Sequence, residues 1–319
     1  MKTMGHFSTT CSRNRKISAL RYRFSLKAMA FAACLASASS VFAQQPLAGS
    51  YTNIDPPGSA LAGAFGINND GVIVGRYKTT LTGFYHGFLR DESGSYNTID
   101  PPNAIYTEAH GVNNNGAVVG YFCDTAPCGS VSTYQGFLLK DGVHSSFGSP
   151  QHINTWAIRI NDRGQIVGCD HDTDTMGSMH GFLDSGGTFT DLTVPASMNN
   201  GISPNGKTIA GFYTDMITST SHGYILSRGK FMPFDVPGST QTSPWDLNAK
   251  GQIVGAYTDG AGHLHGFLRN AAGVFFSIDY PEATGTWAFG LNEAGQVVGQ
   301  YLDTSGTRHA YLLTRNEEN

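Results

Sequence analysis

Two kinds of residue in this chain could do chemistry: histidines and aspartates that recur, and charged or aromatic residues that occur once. His86, His180, His222, His265 and His309 each precede Gly or Ala and then an aromatic residue, and Asp55, Asp100, Asp235 and Asp279 recur in a second phrase. Five imidazoles invite a metal. Residues that return in every repeat serve the geometry of the repeat, however, because equivalent positions cannot all face one asymmetric ligand. Each histidine is therefore expected to bond a neighbouring backbone group, and each aspartate to accept from local turn amides.

A binding site needs side chains that occur once. Trp156, Trp245 and Trp287 are all the tryptophans of the chain. Aromatics beside polar groups suit sugar rings or peptide side chains, and packing in the core is their other use. Arg159 and Asp246 stand where four other repeats carry Gly66, Gly111, Gly201 and Gly290. A charge there must be paired or wet, so the two are either ligand-binding residues or a structural ion pair. Glu108 and His110 add polar groups nearby. Asp170, Asp172 and Asp174 alternate along one segment, a spacing similar to the start of a calcium loop. Gly177 comes late for that loop and its twelfth position is Gly181 rather than Glu, so a solvated acidic loop is the preferred reading and no cofactor is expected. Calcium would be the one cofactor this pattern suggests.

No Gly-x-Ser-x-Gly elbow, no zinc spacing and no obvious pair of carboxylates is present, so no catalytic residue is assigned. The runner-up to a binding protein is a polysaccharide hydrolase or lyase whose acids come from Asp246, Glu108 or the Asp170 segment.

The elements that must position these residues follow from an internal period. Asn-x-x-Gly units begin at Asn68, Asn113, Asn161, Ser203 (in place of Asn), Asn248 and Asn292, separated by 45, 48, 42, 45 and 44 residues. Periods of this size indicate a propeller or a similar array. Each repeat shows four strand signals, A to D, and no amphipathic helix. A tight turn joins A to B, with Asn or Ser able to bond the backbone two residues on and Gly able to take positive φ. Strand B, such as Val72-Ile73-Val74-Gly75-Arg76-Tyr77, has consecutive β-branched residues that imply burial on both faces. Its glycine is expected to admit a neighbouring blade. Copy four holds one extra residue between Gly206 and Gly211, expected as a bulge. Strand C carries the histidine, and strand D carries the phrase that ends Ile-Asp-x-Pro or Ile-Asp-Pro-Pro.

The D phrase also appears alone at Tyr51-Thr52-Asn53-Ile54-Asp55-Pro56-Pro57, and the last copy, ending at His309-Ala310-Tyr311-Leu312-Leu313, lacks it. A ring explains the offset if the first strand of the chain completes the last repeat. The expectation is an all-β, six-bladed β-propeller of four-stranded antiparallel blades over residues 44–319. The D–A and B–C connections share one end, hold the variable loops, and form the expected binding face.

At these residues the chain resembles the extracellular HAF-repeat proteins, named for a His-Ala-Phe motif, with His309-Ala310-Tyr311 the nearest match. The resemblance spans roughly residues 50 to 313. It implies a secreted or envelope location and brings no established catalytic residues.

Residues 1–43 read as a signal peptide. Seven Lys and Arg precede a weakly apolar run that ends Val41-Phe42-Ala43. Ser37, Ser39 and Ser40 make that run too polar to span a membrane. Without the leader, 13 basic residues face 24 acids, and the net charge moves from −4 to about −11. That balance argues against nucleic acid and anionic membrane as partners. The expected partner is an extracellular glycan or protein, bound by a monomer that is secreted or periplasmic. Of the cysteines beyond the leader, Cys123 and Cys128 can close a small loop in an oxidising compartment and leave Cys169 unbridged, with other pairings open.

Overall fold

The computed structural model describes residues 44–128, 134–172 and 178–315. Every described residue lies in one compact unit, Phe42–Asn319. The expected signal peptide and Asp174 lie outside the described residues.

The fold is an all-β propeller of four-stranded antiparallel sheets. Four of them stand as separate sheets. The first repeat forms Leu61–Ile67, Ile73–Lys78, His86–Arg90 and Tyr96–Thr98, and repeats two to four form equivalent sheets. The expectation of six separate blades is corrected at the fifth and sixth repeats, whose strands share one nine-stranded sheet. Within it, Gln241–Leu247, Ile253–Thr258, Leu264–Arg269 and Phe275–Ile278 make one antiparallel meander. Gly285–Leu291, Val297–Leu302 and Arg308–Arg315 make another, with Gly49–Asn53 as its fourth strand. One parallel bridge, Leu264 to Gly285, fuses the two. The ninth strand, Gln45–Pro46, runs parallel to Phe275–Ile278 and was not expected.

The opening strand thus pairs with the closing one, Tyr51 opposite Leu313, and Ile54 N donates to Ala310 O at 3.0 Å. A second closure runs through the turns. Asn68 Nδ2 donates to Asn113 O, Asn113 to Asn161 O, Asn161 to Ser203 O, Asn248 to Asn292 O, and Asn292 back to Asn68 O at 3.1 Å. The same asparagines accept turn amides through Oδ1, so one side chain shapes its own turn and ties it to the next repeat. Ser203 has no amide to offer, and the belt is open between it and Asn248.

Three local expectations are corrected. The strand-B glycine does not admit a neighbouring blade. A Cβ on Gly75 would lie 2.1 Å from Gly63 O and 2.7 Å from the Phe88 ring, both in its own sheet. The aromatic of His-Gly-Phe therefore lies over this glycine. Close approach of the next repeat falls to the strand-C glycine instead: a Cβ on Gly87 would meet Thr107 Cγ2 at 2.9 Å. The extra residue of copy four forms no bulge in strand B. It lengthens the turn, where Ser203 N donates to Thr208 O while Asn68 N donates to Val72 O. Bulges do occur, and at one register in all six A strands, between Ala64 and Gly66, Ala109 and Gly111, Ala157 and Arg159, Asn199 and Gly201, Pro244 and Asp246, and Ala288 and Gly290.

Candidate functional site

Those bulges build the centre of the molecule. A bulge leaves one residue of strand A outside the ladder, here Phe65, His110, Ile158, Asn200, Trp245 and Phe289. Arg159 reaches into this ring. Its guanidinium donates to Phe65 O, His110 O, Trp245 O and Phe289 O, the shortest at 2.9 Å to Phe289 O. Its Nε lies 3.2 Å from Asp246 Oδ1, and Asp246 accepts the amides of Leu247 and Leu291. Both side chains are buried. Burial pushes the Asp246 carboxyl up to about 6, against the opposing pull of Arg159 and the two amides. Burial likewise lowers the Arg159 pKa, with Asp246 opposing.

Arg159 and Asp246 therefore form a plug at the centre in which each charge faces its opposite. The glycines at the equivalent positions make room for it: a Cβ on Gly66 would sit 3.0 Å from Arg159 Nη1, and one on Gly111 2.9 Å from Arg159 Cα. On the turn side of the plug, a cavity of about 60 Å³ is lined by the asparagine belt with Asp162 and Glu293.

On the loop side lies a polar cluster on an aromatic wall. Glu108 is 2 % exposed and bonds Arg76, Tyr106 and His110 Nε2, the last at 3.1 Å. Burial alone would raise its carboxyl. The Arg76 guanidinium and His110 overturn this and hold it well below the usual carboxylate range. His110 is stacked on Phe65 at 4.4 Å and on Tyr121 at 5.2 Å, and burial lowers its pKa against the pull of Glu108. Arg76 lies over the Tyr85 ring at 4.1 Å.

The aromatic wall continues from the second repeat to the third. Tyr121 stacks on Trp156 at 5.1 Å, with Tyr134 edge-on to both. Trp156 Nε1 is buried and without a hydrogen-bond partner. Trp156 and Trp287 occupy the same register of strand A, and both are half-buried. Trp245 does not share it. It is the bulged residue of its strand, its ring edge-on to Phe289 at 4.9 Å and its carbonyl bonded to Arg159. Trp156 thus belongs to the wall and Trp245 to the plug, while Trp287 stands in the sixth repeat, where its carbonyl accepts the Tyr311 hydroxyl at 2.9 Å.

The recurrent histidines and aspartates bond each other. His86 Nδ1 meets Asp100 at 2.7 Å, His222 meets Asp235 at 2.9 Å, His265 meets Asp279 at 2.7 Å, and His309 meets Asp55 at 2.6 Å. In the first and last of these the second carboxylate oxygen also accepts the amide after the histidine. The expected backbone partners for the histidines are corrected accordingly: the side chain of strand D is the nearer acceptor.

In the third repeat His180 pairs with Asp172 instead, at 2.9 Å, and Asp172 also meets His152 Nδ1 at 2.6 Å. Asp170 is not in a solvated loop. It lies in the strand Gln165–His171 with no exposed surface. Of the three acids considered for calcium, Asp170 and Asp172 face imidazoles, and Asp174 lies outside the described residues. Cys123 and Cys128 form a disulfide with a Cα separation of 5.9 Å, and Cys169 is unbridged and buried.

Besides Tyr106, Tyr134 and His152, the residues missed by sequence reasoning are Arg76 and Tyr121. Each follows the strand-B glycine, where the six repeats carry Arg76, Tyr121, Cys169, Phe212, Ala256 and Gln300. The signal was there: this position varies beside an invariant neighbour, as Arg159 and Asp246 vary among glycines.

No family model and no curated protein matches this chain. Solved structures do match. TolB from Acinetobacter baumannii aligns at 12 % identity and a TM-score of 0.51 over 83 % of this chain, which spans 66 % of that one. A structure assigned as TolB from Agrobacterium tumefaciens aligns at 14 % identity and 0.55, over 83 % of this chain and 97 % of that one. The fucose-specific lectin from Aleuria aurantia aligns at 12 % identity and 0.51, over 84 % and 93 %. At these identities the likeness shows the propeller fold alone. Among the described residues no helix is long and apolar enough to cross a membrane.

Proposed function

We propose that this chain is an exported, non-catalytic six-bladed propeller of the HAF-repeat type that binds an extracellular glycan, or else a protein partner, through its loop-rich face. The two meanders of the nine-stranded sheet count as the fifth and sixth blades. Six sequence repeats and the Asn292 to Asn68 bond support that count. The basic leader with its small-residue end supports export.

The observation that carries the binding reading is half-buried Trp156, backed by the buried Tyr121 and Tyr134 rings beside the fixed Arg76–Glu108–His110 cluster. Rigid aromatic faces with a few oriented polar groups suit a sugar ring, which offers C–H faces and hydroxyl edges. A fucose-specific lectin among the fold neighbours supports a glycan use of such a scaffold.

Catalysis is the weaker reading. Glu108, kept ionised by Arg76, has no proton to give a leaving group. Asp246 is spent on Arg159 and two amides. Asp170 and Asp191 bring carboxylate oxygens within 4.8 Å of each other, a spacing that favours hydrolysis where both can reach a glycosidic bond, but Asp170 is fully buried.

The test is a glycan array with a parallel hydrolysis screen, followed by calorimetry on the best ligand. Trp156→Ala is expected to weaken binding at least about tenfold, or about 1.4 kcal/mol. Turnover that disappears in Glu108→Gln would replace the binding reading with the enzymatic one.

A further inference from the structure

The third repeat breaks the pairing rule of the others, and the break leaves three donor atoms facing one another. His180 and His152 Nδ1 both engage Asp172. The Nδ1 bond fixes the His152 tautomer and turns Nε2 the other way. His152 Nε2 is buried without a hydrogen-bond partner among the described residues, 3.7 Å from Asp170 Oδ1 and 3.7 Å from Asp191 Oδ2. Asp170 has no exposed surface, and among the described residues neither of its oxygens meets a well-aligned hydrogen-bond donor, with only the Ser149 side chain near enough to favour its charge by hydrogen bonding. A fully buried carboxylate so weakly bonded is costly, and a cation would remove that cost.

We propose that His152, Asp170 and Asp191 form a divalent transition-metal site of the zinc type, with Asp172 and His180 as the layer that orients His152. The proposal is independent of the glycan site. The spacing fits: ligands about 2.0–2.1 Å from a tetrahedral zinc lie about 3.3–3.4 Å from one another. The donor set also fits. One imidazole and two carboxylates suit zinc or a neighbouring first-row ion, while calcium takes oxygen ligands. A ligating histidine that gives its other ring N–H to a carboxylate is the usual outer arrangement of such sites, and Asp172 supplies it. His180, stacked on His152 at 4.4 Å, holds Asp172 in turn.

A proton is the rival occupant. Burial lowers the His152 pKa, but Asp172, Asp170 and Asp191 outweigh it and favour the imidazolium. Burial raises the Asp170 carboxyl, with smaller opposing contributions from Ser149 and His152. Metal and proton compete for the same nitrogen, so the affinity must fall as the solution is acidified.

The experiment uses the untagged protein, stripped with chelator and titrated with Co²⁺ by visible spectroscopy and with Zn²⁺ by calorimetry. One equivalent of each is expected to bind, giving the visible bands of a low-coordinate Co²⁺ and a rise in Tm. Asp170→Asn and His152→Gln are each expected to weaken binding at least about a hundredfold, and Asp172→Asn about 10–100-fold. If either ligand variant fails to fold, the other carries the same test. No binding at micromolar Co²⁺ or Zn²⁺, or unchanged binding in both ligand variants, would overturn the metal site and leave His152 as a protonated ion-pair residue.

Discussion

Asp55 and His309 are 254 residues apart and 2.6 Å from each other, and the second oxygen of Asp55 accepts the amide of Ala310 at 2.7 Å. The pair that other repeats form locally is here the clasp between the two ends of the ring. Burial lowers the His309 pKa, but Asp55 and Asp303 outweigh it, so the imidazole keeps its proton above its ordinary range. The unfolded chain releases that proton near about pH 6.5. The stabilisation is therefore complete below that value and is lost as pH rises through the higher folded-state pKa. Tm is expected to drop as pH rises above about 6.5, and Asp55→Asn is expected to flatten the drop while costing about 2 kcal/mol. An equal slope in the variant would remove the clasp as its source.

The glycines make two opposite predictions. A Cβ on Gly299 would lie 1.9 Å from Trp287 O and 2.7 Å from the Tyr311 ring, while one on Gly148 would meet nothing nearer than Thr155 Oγ1 at 3.8 Å. Gly299→Ala is expected to cost about 3 kcal/mol or more, and Gly148→Ala to stay within about 0.5 kcal/mol. Urea unfolding measures both. Similar costs at the two sites would show that close approach is not what keeps Gly299.

Much of the fold was legible in the chain because it is written six times. The offset of the phrase at Tyr51 to Pro57 pointed to the pairing with Arg308–Arg315, since a lone strand needs an edge and the last repeat lacked one. The bulges were not legible. Nothing in Phe65, His110 or Trp245 marks an unpaired residue, and the register appears only when strand B lies alongside. The plug inherits that blindness: Arg159 and Asp246 stood out by type, but their partners are mainly carbonyls, which no sequence displays. Within the site, Glu108 and His110 were visible as singular residues, whereas Arg76 passed as part of a strand pattern. The His152–Asp191 contact joins segments on either side of the third sheet, and the alternating acids drew attention away from the imidazoles that bind them.

The asparagine belt separates two roles of one side chain. Asn292→Asp keeps the oxygen that accepts Gln296 N but replaces the donor to Asn68 O with a second oxygen. Its expected cost is about 1–3 kcal/mol, because two acceptors would then face each other at a buried position. Asn292→Ala, which also abandons the turn, is expected to cost more. A chemical-denaturation series on the two variants measures the difference. A harmless Asn292→Asp would mean that the turn alone selects asparagine.

The final prediction concerns the plug, where energy and geometry pull apart. Asp246→Ala leaves the Arg159 guanidinium buried beside four carbonyls with no counter-charge, and Arg159→Ala leaves the carboxylate with only its two amides. Each single change is expected to cost about 3–5 kcal/mol, because an unpaired buried charge is worse than none. The double change removes both charges at once and opens the centre to water, which can then serve Phe65 O, His110 O, Trp245 O and Phe289 O. The cost of the double variant is therefore expected to fall short of the sum by at least about 2 kcal/mol. Equilibrium unfolding of the four proteins in urea closes the cycle. Additivity within about 0.5 kcal/mol would mean that the 3.2 Å contact between Arg159 and Asp246 carries no coupling and that the carbonyls alone hold the guanidinium.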